Sequence, residues 1–90
     1  MPTRETPADW PERMRDFGLV LQRRRHELGM TQEDVAYASG LTRSHYQQLE
    51  KGLSRPGVSA NPSLLTVIAL ARTLGIDLNE LAVALQDRTA

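Results

Sequence analysis

The stretch Thr31 to Gly52, TQEDVAYASGLTRSHYQQLEKG, decides how the rest of the chain is read. It divides into two short helices joined by a tight turn. Thr31 is a capping residue whose hydroxyl can accept backbone N–H bonds left open in a first turn, and Asp34, three residues on, stands in the reciprocal position. Val35 and Ala36 supply apolar contact. Gly40 tolerates the left-handed backbone that stops a helix. Leu41 follows, and Thr42 caps the second helix. Two such helices around a short turn containing glycine form a helix-turn-helix.

The second helix, Arg43 to Lys51, has two unlike sides. Arg43, Ser44, Gln47, Gln48 and Lys51 fall within about 140° of arc when successive residues turn by about 100°. Each carries a hydrogen-bonding side chain. Tyr46 and Leu49 occupy the opposite side and read as core. A donor-rich face with an apolar back is what a DNA major groove requires: Arg can bond the acceptors of guanine, and Gln can pair with the donor and acceptor of adenine. The competing reading is an ordinary solvated helix face, polar for no special reason. The helix-turn-helix context favours the groove. His45, beside the arc, is either a phosphate contact or an idle surface histidine.

Working outward, residues 1–8 hold two Pro and no apolar period, so they read as a disordered tail, with residues 9–90 as one domain. Arg4 in that tail has the chemistry of a minor-groove arm, although a mobile terminus is the simpler reading. A first helix starts near Asp9, with Pro11 in its first turn, and runs to about Leu28 with Met14, Phe17, Leu21 and Leu28 on one face. Trp10 is expected to fold back onto it. A helix over Gln32–Ser39 precedes the polar one. The segment Leu53–Pro62 is rich in turn residues, and its Leu53 and Val58 are expected to cover the core. Ser63 caps a fourth helix with Leu64, Val67, Ile68, Ala71 and Leu74 on one face, and Gly75 stops it. Asp77 caps a fifth, Glu80 completes a capping box, and Ile76 staples to Leu81. Leu78, Ala82 and Leu85 form a stripe on that last helix, either core or a two-fold dimer seam. No segment alternates as a strand does, so the fold class is all-α, a compact bundle of five helices.

Composition narrows the function. Ninety residues with 40% apolar content suit one domain. A domain of this size buries only about 60–65% of its unfolded surface, so self-association would help it. No cysteine is present, which removes disulfides and the usual structural zinc sites and fits a cytoplasmic address. No apolar run approaches the ~18 residues of a membrane span, and the N-terminus has no signal core. Net charge is zero, against an indiscriminate polyanion binder. Between Arg13 and Arg55, eight basic residues face five acidic ones. Few phosphates per subunit would then be neutralised, and affinity would lean on base contacts and paired subunits. No nucleophile motif, phosphate loop or dinucleotide fingerprint is present. His26 and His45 lack metal-ligand spacing, so neither an enzyme nor a cofactor or metal site is expected.

The chain resembles the Cro/cI-type helix-turn-helix proteins, the xenobiotic-response-element (XRE) family. The resemblance is carried by Phe17-Gly18, Leu21, Arg25, Leu28-Gly29, Thr31-Gln32, Val35-Ala36, Gly40-Leu41-Thr42-Arg43-Ser44, Leu49-Glu50-Lys51-Gly52, Asn61-Pro62-Ser63-Leu64 and Leu74-Gly75-Ile76. It spans residues 17 to 81. Tyr46 departs from it, because an aliphatic residue is usual there, and the loop from Leu53 to Asn61 is longer than the common form. The resemblance implies a lambda-repressor-like bundle and a DNA-binding transcriptional regulator. It implies an ion pair between Arg25 and Glu50, and a phosphate contact at Gln32, where free N–H groups and the helix dipole also favour an anion. Arg43, Ser44, Gln47 and Gln48 would read bases, while Gln32, Thr42, His45, Lys51 and Arg55 would meet the backbone. It further implies a homodimer joined near Leu78, Ala82 and Leu85 on a near-palindromic operator, regulated through protein concentration as in phage-type repressors. The alternative within the same fold is an antitoxin that binds a toxin and its own promoter.

Overall fold

Residues 6–86 are described by the structure, a computed structural model of the chain. Arg4 and most of the expected tail lie outside them. Five helices follow in order: α1 (Trp10–Glu27), α2 (Gln32–Ala38), α3 (Arg43–Glu50), α4 (Leu64–Leu74) and α5 (Leu78–Leu85). Each expected helix is present with its ends within a residue or two. One expectation fails between α3 and α4. There the strands β1 (Leu53–Arg55) and β2 (Val58–Ser59) pair antiparallel, Leu53 opposite Ser59 and Arg55 opposite Val58, with an irregular register. Strands of three and two residues are too short to show an alternating pattern. Their signal is the turn dipeptide Pro56-Gly57, with Gly57 at φ 77°. Proline presets the first central residue of such a turn, and glycine supplies the positive φ of the second.

The helix starts follow from their caps. Thr31 accepts from the Asp34 N–H at 3.0 Å while Asp34 accepts from the Thr31 N–H at 3.0 Å, a complete capping box. Thr42 accepts from the His45 N–H and Ser63 from the Thr66 N–H. Asp77 accepts from the Asn79 N–H at 2.8 Å, one residue earlier than the expected box with Glu80. Pro11 lies in the first turn of α1, where the missing N–H costs nothing. The carbonyl ends of α4 and α5 are met from α1. Arg24 Nε donates to Leu74 O at 2.8 Å, and Arg13 Nη1 donates to Leu85 O at 3.2 Å. Cations at helix C-termini also complement the dipole.

The core joins Met14, Phe17 and Leu21 of α1 to Val35 and Ala36 of α2, Tyr46 and Leu49 of α3, Leu70, Ala71 and Leu74 of α4, and Leu81 of α5. Complete burial of one such large apolar side chain contributes about 1.5–3 kcal/mol. Helix α4 is apolar nearly all round, so its sequence does not fix its inward face. Leu70 is fully buried, whereas Leu64, which shares a face with Ala71 and Leu74 by period, is 73% exposed. Leu28 is 42% exposed because the helix has already ended there and Leu28 is its C-terminal cap. Val58, expected to cover the core, is 39% exposed on the two-stranded hairpin. Trp10, half-buried, packs against this core. Its indole N–H donates to Ala60 O at 2.8 Å, where β2 ends.

Two glycines mark close approaches. A Cβ on Gly18 would sit 2.4 Å from Glu50 O, so α1 crosses the end of α3 backbone to backbone. A Cβ on Gly52 would sit 2.7 Å from the Arg15 N, and its φ of 77° is itself unfavourable for other residues. These contacts seat the exit of α3 firmly on α1. Among the described residues, no helix is long and apolar enough to cross a membrane.

Candidate nucleic-acid interface

Helix α3 is held from behind and open in front. Tyr46, Leu49 and Glu50 are buried. Arg43, Ser44, His45 and Lys51 are exposed, as is Thr42 at the cap. Gln47 is half-buried on the same face. Gln48 is half-buried too, and its Oε1 is shielded from solvent without a hydrogen-bond partner, so its amide is less free than the helical wheel implies. The turn before α3 is fixed by Leu41 N–H donating to Ala36 O at 2.8 Å, around Gly40 at φ 72°.

Glu50 sits at the centre of a buried polar network. Arg25 Nε donates to its Oε2 at 2.6 Å and Arg25 Nη2 to its Oε1 at 3.1 Å. This two-pronged geometry is the strong form of an arginine–carboxylate pair. Arg25 Nη1 also donates to Met30 O at 3.1 Å. The Tyr46 hydroxyl donates to Glu50 Oε2 at 2.5 Å, and Gln32 Nε2 donates to Oε1 at 2.9 Å. Burial alone would push the Glu50 carboxyl up. The bonds from Arg25, Tyr46 and Gln32 outweigh it, and the group ends below the ordinary carboxylate range. The same bond to Glu50 raises Arg25. Burial, then Glu50, drives the Tyr46 phenol far above its usual value, so it stays protonated and donating.

Gln32 is therefore part of the network and not a wholly free surface amide. One N–H is engaged; the other and the carbonyl remain available. Gln32, Thr31, Arg25, Met30, Glu33 and Arg43 line an open groove of about 570 Å³ where α2 begins beside α3. Arg55 is exposed on the hairpin that follows. Leu78 and Ala82 are exposed on α5, whereas Leu85 is half-buried against the core. The part played by Tyr46 was legible only in that it stands four residues before Glu50 on one helix side. Nothing local in the sequence pointed to the bond from Gln32, 18 positions away from Glu50.

Comparison with known proteins agrees with this geometry. A family described as helix-turn-helix matches residues 21–81. An uncharacterised HTH-type transcriptional regulator, y4dJ of Sinorhizobium fredii, is 37% identical over 64 residues, covering 71% of this chain and 75% of the relative. The restriction-modification controller protein C.AhdI from Aeromonas hydrophila superposes with a TM-score of 0.64 at 37% identity, over 76% of this chain and 94% of that one. The controller protein C.Esp1396I gives 0.63 at 25% identity, over 80% and 91%. The clp gene regulator ClgR from C. glutamicum shares the fold, with a TM-score of 0.67 at 20% identity over 83% and 90%.

Proposed function

The chain belongs to this helix-turn-helix family of DNA-binding transcription regulators, and from that premise we propose that it is a sequence-specific regulator acting as a homodimer on a near-palindromic operator. Helix α3 enters the major groove of each half-site. Arg43, Ser44 and Gln47 read base edges, with Gln48 at the margin of the contact. Gln32, Thr42, His45, Lys51 and Arg55 fix the register on the phosphates. Leu78 and Ala82, with Leu85 behind them, form the subunit seam. Two-fold symmetry sets the half-sites about one DNA turn apart.

The observation that carries the reading is the division of α3: Arg43, Ser44 and Lys51 open to solvent with the half-buried Gln47 beside them, on a back locked by Tyr46, Leu49 and Glu50. Similarity to two restriction-modification controller proteins supports a regulator, and we take its control to run through its own concentration. The test is selection of bound duplexes from a random pool, followed by stoichiometry and salt titration. The expected result is a site with two inverted halves occupied by two subunits. Failure to enrich any sequence would overturn it.

A further inference from the structure

We infer that Tyr46 is a positioning residue for DNA binding: its hydroxyl fixes the Glu50 carboxylate, which in turn holds the Gln32 carboxamide ready for a phosphate. The inference rests on the reading of Gln32 as a backbone contact. Tyr46 is fully buried, and its hydroxyl is spent on Glu50 Oε2. Arg25 Nε shares that oxygen, while Arg25 Nη2 and Gln32 Nε2 share Oε1. Four donors fill the lone-pair sites of the carboxylate. Any rotation of Glu50 would break several charge-assisted bonds together, and Arg25 is itself anchored on Met30 O.

The consequence falls on Gln32. A glutamine side chain has much rotamer freedom to lose. Here part of that loss occurs on folding, so less remains to be lost on binding. The Gln32 side chain is steered by Glu50 at the edge of the groove it shares with Thr31 and Arg43, with one N–H and the carbonyl still open. An aliphatic residue at position 46 would fill the core but leave Glu50 Oε2 with Arg25 alone.

The test is a double-mutant cycle on the dissociation constant for the selected operator duplex. It uses the wild type, Tyr46→Phe, Gln32→Ala and the double variant, at a temperature where all are folded. Each single change should weaken binding about three- to tenfold. The double variant should bind within about twofold of Gln32→Ala alone, because the two act through one contact. Multiplying effects, or an unchanged constant for Tyr46→Phe, would overturn the inference. A wild type that shifts no duplex overturns the DNA reading and this inference with it. Should Tyr46→Phe not fold, NMR relaxation of the Gln32 side-chain amide in the free wild type decides. An order parameter above about 0.6 supports a held amide, and a lower value overturns it.

Discussion

Arg43 stands exposed at the first position of α3, where a guanidinium can reach a guanine edge. Arg43→Ala should cost about 1–3 kcal/mol on the selected operator and relax preference at one base pair. Competition titrations should show little change on random duplex; equal loss on both would reassign Arg43 to the backbone. Glu50 carries a different burden. Glu50→Ala leaves the Arg25 charge buried without its carboxylate, and denaturant unfolding should record a loss of about 3–5 kcal/mol. The carboxyl is held below its ordinary value in the folded chain and returns to about 4.3 on unfolding, so the unfolded chain binds protons first on acidification. Its contribution is complete above that value and drains away as pH falls through the folded one. Stability measured against pH should therefore drop on the acid side, and Glu50→Gln should flatten that limb. The outward direction of Arg43, Ser44 and Lys51 was readable from helical period. The shielding of Gln48 was not, because it sits at the edge of the arc, where tertiary neighbours decide.

Helix ends were legible because they are chemical: Thr31, Thr42, Ser63 and Asp77 each accept a backbone N–H at the start of a helix. The hairpin escaped because five strand residues carry no period, and only Pro56-Gly57 announced it. The inward face of α4 escaped for the opposite reason, since LLTVIALARTL offers apolar residues in nearly every direction. Gly18 belongs to this scale, because it sets how closely α1 crosses α3. Gly18→Ala puts a methyl 2.4 Å from Glu50 O, so the two helices must part. The expected cost is about 1–3 kcal/mol in thermal or denaturant melts. Operator affinity measured below the melt should fall as well, because the crossing also seats Glu50.

At the scale of the molecule, the last two helices present Leu64, Leu65, Leu78 and Val83 to solvent, apolar surface that the core leaves uncovered. If α5 is the subunit seam, Leu78→Glu should yield a folded monomer, with sedimentation giving half the native mass and circular dichroism unchanged. Leu78 is 51% exposed, so the core does not depend on it. Operator binding by that variant should weaken and lose its steep concentration dependence. Trp10 offers a further consequence. It is the sole tryptophan, and its indole bridges 50 positions to Ala60 at the foot of the hairpin. The chain thus carries its own fluorophore at the joint between its first helix and the hairpin that follows α3. Intrinsic emission will report whether that joint opens before the bundle melts, without any label.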